Sequence, residues 1–362
     1  MAVAVSLSYL TRSGANVPEG AFCVLMRFFV GHIMQTPNLE MKSVKDLFGI
    51  EGTMQVPVMP KSEALARFVP SMNPHYVFRK DVVRNLLAFL LRPHGDALWI
   101  TGPTGCGKTS AVLEVAGRLN WPVVSVTCNG AMEFQELRGQ FVLACQKAGE
   151  TPSMTFRDGP LALAMKKGYI LLLNEIDMFD PSELAGLNDV LEGRPLVIAE
   201  NGNEVIEPHP NFRVICTANS AGAGDTTGLY QGVQTQNLAA MDRYRTIEVT
   251  YPTAEIEEDI LSRLAPGLGS DIHKLMVKMA NDIRTAFKGT DGMPGTLSVT
   301  MSTRTLVRWA QLSLDFFGAE NALRYALEQA LLNRCNGVER ESIEQIARLC
   351  FGDAWDKKAN KR

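Results

Sequence analysis

Residues 102 to 109 read Gly-Pro-Thr-Gly-Cys-Gly-Lys-Thr, a complete G-x-x-x-x-G-K-[ST] spacing, and no other stretch restricts the possible folds as much. The residues before it, Ala97 to Ile100, form an apolar run of strand length, and a helical stripe extends from Lys108 to Leu119. A strand that ends in glycines and opens into a helix gathers backbone N–H groups and the helix's positive end at one point, which suits a phosphate. Gly102, Gly105 and Gly107 let the backbone close around it, Lys108 neutralises the β and γ phosphates, and Thr109 offers its hydroxyl to Mg2+. Pro103, Thr104, Cys106 and Ser110 complete the predicted nucleotide-binding surface. A tight connection with no ligand is the plain alternative, and the complete motif in its strand-to-helix context weighs against it.

From Tyr76 onward the pattern alternates helix and strand, which predicts an α/β domain with a largely parallel sheet. Lys80 to Leu91 carries Val82, Val83, Leu86, Leu87 and Leu90 at helical spacing. Val123 to Val126, Tyr169 to Leu173, Phe212 to Ala218 and Arg245 to Thr250 read as further strands, and Tyr251-Pro252 marks a boundary. Beyond it, Ala254 to about Gly352 reads as helices only, a small lid. The expected division is an N-terminal segment of residues 1–75 whose pattern specifies no fold, a nucleotide-binding domain of 76–252, a helical lid of 253–352, and a basic tail of 353–362.

Composition narrows the function classes. With 46% hydrophobic and 21% charged residues and a formal net charge of -3, no general field draws the chain to nucleic acid or to an acidic membrane. The seven cysteines contain no C-x-x-C pair, so neither a zinc site nor a disulfide framework is signalled, and a reducing cytoplasm fits best. The most apolar early stretch, Phe22 to Met34, is broken by Arg27 and is shorter than the ~20 residues of a membrane helix. Met1 to Leu10 has no positive region ahead of its apolar run, which argues against a secretory signal.

Two further strand tips carry chemistry. After the apolar run ending at Leu173 come Asn174 and Glu175. Glu175 is the candidate base for an attacking water, and Asn174 takes the place where an oxygen ligand for the Mg2+ shell is needed, bringing a dipole rather than a charge. Asn219 follows Val214 to Ala218 and offers an amide that can orient water and the γ-phosphate. Alone, an asparagine there is more often a turn former.

Taken together, these residues resemble the AAA+ superfamily and, within it, the MoxR branch, with the best likeness to the small ATPase subunits of aerobic cobaltochelatases. The resemblance is carried by Val44 to Ile50, the phosphate loop, Leu119 to Pro122, Pro208 to Arg213, Gly224-Asp-Thr-Thr-Gly-Leu-Tyr230, Met241-Asp-Arg243 and Met301 to Thr305. It implies ATP hydrolysis with Mg2+ in an oligomeric ring, most simply a hexamer, of chaperone-like action on a partner bearing a von Willebrand A domain. It also implies that Arg243 is an arginine finger reaching a neighbour's γ-phosphate, with Arg245 as competitor, that Arg304 is the lid's sensor 2 residue, that Asn219 is sensor 1, and that Tyr76 and Phe78 pack the adenine. Phe141 to Phe156 resembles the helix 2 insertion. Leu196 to Pro208, with Asn201-Gly202 as a hairpin turn, resembles the pre-sensor 1 hairpin. Alternatives are a true cobalt-inserting chelatase subunit and a DNA-acting motor, for which a basic pore stripe would be the mark.

Overall fold

The computed structural model describes residues 39–144, 152–224, 231–289 and 295–356. Phe22 to Met34, the first ten residues, residues 225–230 and the basic end from Lys357 lie outside them. Eleven strands are described: β1 Glu40–Ser43, β2 Gln55–Val58, β3 Ala97–Thr101, β4 Val123–Thr127, β5 Gly139–Ala144, β6 Ser153–Asp158, β7 Ile170–Asn174, β8 Leu196–Ile198, β9 Glu204–Ile206, β10 Arg213–Thr217 and β11 Tyr244–Glu248. Five of them make one sheet in the order β11-β3-β10-β7-β4, and every pairing in it is parallel. The central strands β7 and β10 are buried at every residue, the pattern of a sheet covered on both faces. The edge strands β4 and β11 alternate between buried and more exposed positions.

Side-chain alternation splits the core in two. Leu98, Ile100, Ile170, Leu172 and Ile215 point to one face, where they meet the helices α2 (Lys80–Leu91) and α3 (Lys108–Arg118). Trp99, Leu171, Leu173, Val214 and Cys216 point to the other, against α4 (Pro160–Lys167). The earlier segment joins the first face: α1 (Val44–Phe48) is capped by the Ser43 side chain and by left-handed Gly49, and Phe48, Val56 and Met59 share the core of Leu98 and Ile215.

Two antiparallel hairpins leave the α/β unit, β5 with β6 and β8 with β9. The second is not closed by a two-residue Asn201-Gly202 turn. Its last pair is Ile198 with Glu204, and between them Ala199–Asn201 form a 3-10 turn followed by left-handed Gly202 and Asn203. The physical reason is local: Asn201 donates its amide to Glu204 (2.8 Å), and Glu204 in turn pairs with Lys166 on α4 (2.7 Å), so the side chain is used for bracing.

Beyond Pro252 the described residues are helical or irregular: α5 (Ala254–Leu264), α6 (Ser270–Lys288), α7 (Thr303–Asp315), α8 (Ala322–Ala330) and α9 (Gly337–Phe351), with short 3-10 turns. They enclose a third core built around Trp309, Phe351 and Trp355. No helix of the described residues is long and apolar enough to cross a membrane.

Candidate active site at the strand tips

Because the sheet is parallel, the carboxyl ends of β3, β7 and β10 emerge side by side, and the predicted site residues collect there. The loop after β3 is seated on the end of β11: a Cβ at Gly102 would stand 2.0 Å from the Val249 carbonyl oxygen, and the Cys106 thiol donates to that same oxygen at 3.0 Å. Only glycine fits such an approach. Lys108 opens α3 after left-handed Gly107. Its ammonium donates to the Gly102 and Pro103 carbonyls (2.6 and 3.2 Å) and to Asn219 Oδ1 (3.1 Å). Burial pushes its pKa down, opposed by the nearby Cys106, Glu175 and Asp177 and reinforced by Arg304.

Asn174 and Thr109, both expected beside Mg2+, lie in direct contact. The Thr109 hydroxyl donates to Asn174 Oδ1 at 2.8 Å, as does Thr217 at 3.2 Å, while Asn174 Nδ2 donates to Ser125 Oγ at 2.9 Å. The amide therefore has partners on both ends, and an aspartate could not make the donation to Ser125. Glu175 follows in a left-handed conformation (φ 53°, ψ 42°), which a residue with a Cβ adopts rarely and which collects at functional sites. Asn219 donates its amide to Glu175 Oε2 at 2.7 Å. Asn219 thus bridges the loop lysine and the carboxylate with its two ends.

Asp177 is fully buried. Its Oδ2 accepts the backbone N–H groups of Asn219 and Ser220 (2.8 and 3.0 Å), so it fixes the turn that presents Asn219.

A cleft of about 440 Å³ opens between the outer side of the phosphate loop and the lid, lined by Tyr76, Cys106, Ser110, Ile256, Arg304 and Val307 among others. Burial, and then the charge of Glu114, hold the Tyr76 hydroxyl well above its usual pKa. Phe78 does not line this cleft, which corrects the expectation that it packs a base. Its ring turns into the core, edge-on to Phe48 at 5.1 Å, with the Arg118 guanidinium 4.5 Å over it. In the extended stretch before α2, residues 76 and 78 differ in environment: Tyr76 touches both the cleft and Phe78 (4.8 Å), while Phe78 anchors the segment. Arg304 sits in the first turn of α7, and Arg308 one turn later lines the same cleft. That second arginine escaped the sequence reading, although its four-residue spacing from Arg304 could have flagged it.

Arg243 lies elsewhere. It immediately precedes β11, whose first residue pairs with Ala97 and whose last pairs with Thr101 beside the loop. Four residue steps of strand, about 13 Å at ~3.3 Å each, separate that end from its own phosphate loop. There Arg243 donates to Glu192 (2.9 Å from Nε) and to the Ala239 carbonyl (2.6 Å). Arg245 pairs with Asp96 at 3.3 Å and lies 5.8 Å over Phe89.

Comparison with known proteins agrees with this geometry. The family model for the AAA domain of the dynein-related subfamily matches residues 97–231, and that of the CbbQ/NirQ/NorQ C-terminal region matches 257–350. The aerobic cobaltochelatase subunit CobS of Sinorhizobium sp is 32% identical over 315 residues, covering 86% of this chain and 90% of the relative. Protein NorQ of Paracoccus denitrificans is 28% identical over 254 residues, covering 70% and 86%. A phosphate loop followed by a sheet of this order, joined to a matching C-terminal region and a relative matched over nine-tenths of its length, place the chain among the MoxR-like AAA+ ATPases, with CobS and NorQ as relatives.

Proposed function

We propose that the chain works as a cytoplasmic, chaperone-like ring of identical copies, a hexamer in the simplest case, in which ATP hydrolysis at each interface drives the lid and the two hairpins against a partner protein bearing a von Willebrand A domain. The observation that carries the reading is the separation of Arg243 from its own phosphate loop. A cation at the far end of the sheet is useless to its own site and well placed for a neighbour's. The nucleotide's adenine lies against Tyr76 and the apolar side of α5, its phosphates in the loop, with Arg304 closing from the lid. Lys108 exchanges the Gly102 and Pro103 carbonyls for phosphate oxygens. The Thr109 hydroxyl and Asn174 amide oxygen are hard donors suited to Mg2+, which would neutralise phosphate charge. Glu175 accepts the proton of the attacking water, Asn219 holds that carboxylate in line, and Arg243 of the adjoining copy takes up charge on the transferring group.

The hairpins support the second half of the reading. On the β5–β6 ribbon, the pairs Phe141 with Phe156 and Leu143 with Met154 share one face, and Phe141, Leu143 and Met154 are exposed. A test is capture from the native host with Glu175→Gln loaded with ATP. A von Willebrand A protein retained with ATP and released with ADP is the expected result, and its absence from both eluates would overturn the partner assignment. The 32% identity to CobS across nine-tenths of its length favours, as second reading, an ATPase subunit for cobalt insertion; retention of a large corrinoid-binding protein instead would select it.

A further inference from the structure

We infer that Tyr251, with Arg284 and Glu257 behind it, forms a positioning relay that links the backbone of the phosphate loop to the lid helix carrying Arg304. Tyr251 stands just after β11, at the passage from sheet to lid. Its hydroxyl donates to the carbonyl of Thr104 in the phosphate loop at 3.0 Å. On its ring lies the guanidinium of Arg284, from α6, 4.2 Å from the centroid, a distance at which the ring's face attracts a cation. Arg284 then forks onto Glu257 of α5, with both bonds at 2.7 Å, and donates its Nε to the Met301 carbonyl at 2.8 Å. Glu257 Oε1 also accepts the Thr303 hydroxyl at 2.6 Å, and Thr303 is the residue before Arg304.

Every link is short, and the inner links are dry. Glu257 is 0% and Arg284 5% exposed, so neither charge can exchange its partner for water when the lid moves, and the planar fork fixes their orientation. The lid helices α5, α6 and the start of α7 therefore shift as one body with the Tyr251 ring. Ser302, the N-cap of α7, also approaches the loop directly: a Cβ at Gly105 would stand 2.6 Å from its Oγ. Phosphate entering the loop displaces the Lys108 bonds to the Gly102 and Pro103 carbonyls, one residue from Thr104. The Tyr251 hydroxyl senses that rearrangement at the Thr104 carbonyl and carries it to the position of Arg304.

The relay rests on the reading of Arg304 as the lid's phosphate contact, and a double-mutant cycle separates the two. Tyr251→Phe removes only the hydroxyl and keeps the ring under Arg284. We expect kcat to fall about tenfold, a coupling of ordinary size, with KM for ATP and the melting temperature unchanged. In the Arg304→Ala background the same substitution should have no further effect, because its route is already cut. Thr303→Val, at the other end of the chain of contacts, should behave in the same way. Additive losses with Arg304→Ala, or wild-type kcat in Tyr251→Phe, would overturn the relay. Wild-type kcat in Arg304→Ala alone would instead overturn the reading of Arg304 beneath it.

Discussion

The two ends of the central sheet are built from the same kinds of residue and arranged for opposite purposes. At the carboxyl end, Lys108, Asn219 and Glu175 bond in one chain of side chains and Thr109 bonds to Asn174 in a second, with partners replaceable by phosphate, water or metal. At the amino end, cations are put away. Arg213 is buried with three backbone carbonyls as partners and no carboxylate, and burial lowers its pKa to about 10. Arg243 is instead held nearer the surface by one partly exposed carboxylate, Glu192, as Arg245 is by Asp96. An exposed pair of this kind is weak, so the guanidinium can leave it for a phosphate. On the proposed reading, one end is a site without an arginine of its own for the transferring group, and the other holds an arginine that its own site does not use.

Breaking the comparison from either end should produce the largest effects. Arg243→Ala should lower kcat by about 10³–10⁵ with little change in ATP affinity, as fingers in phosphoryl transfer do; Arg245→Ala, whose partners are structural, should remain within about threefold. Steady-state ATPase assays compare the two, and the reverse ranking would transfer the role to Arg245. Glu175→Gln should bind ATP and lose about 10²–10⁴ in turnover, the span of general base catalysis, whereas equal hydrolysis by wild type would remove Glu175 from the chemistry.

Smaller changes sharpen the carboxyl end. Asn174→Asp adds a negative charge where a metal-bound water would lie, worth ~2 kcal/mol with a divalent ion at ~4 Å in a watery dielectric, so the Mg2+ concentration for half-maximal activity should fall about thirtyfold. Asp177→Asn should lower kcat and leave that midpoint alone, since its carboxylate holds the Asn219 turn; a raised midpoint would mean that Asp177 supplies charge to the ion. The smallest effect concerns pH. Burial holds the Lys108 pKa below the ordinary lysine value, and phosphate favours the charged form. Nucleotide affinity is therefore full below the lowered pKa and is lost as pH rises through it. Between the free and the bound values binding takes up a proton, so calorimetry in buffers of different ionisation enthalpy should detect an uptake that grows as pH rises through the lowered value.

What the sequence revealed follows the range of the interactions involved. The helix Lys80–Leu91 and the buried strands were legible because period and apolarity are local properties, and the phosphate loop because its glycines have one use. The strand-tip residues Asn174, Glu175 and Asn219 were placed by order along the chain, and the parallel sheet brings them together. Phe78 was misread because an aromatic before a helix looks the same from either side of the segment, and only the position of Phe48, thirty residues earlier, draws it inward. The segment from Glu40 to Val58 was illegible for a like reason. Its strands are four residues long, Pro57 interrupts one of them, and their ladder closes across a loop. Tyr251 signalled only the boundary at Pro252, and Arg284 and Glu257 gave no signal at all, since a charged pair on two helices has meaning only once the helices are packed.

The claim at the centre of this account is that the two ends of the sheet meet across copies. Arg243→Ala and Glu175→Gln proteins, each inactive, should be mixed, shown by native mass spectrometry to share assemblies, and assayed for ATP hydrolysis. Interfaces that pair an intact Glu175 with a neighbour's intact Arg243 should restore turnover well above the sum of the two proteins alone. Mixed assemblies with no restored turnover would contradict the account, because Arg243 would then serve its own chain or none.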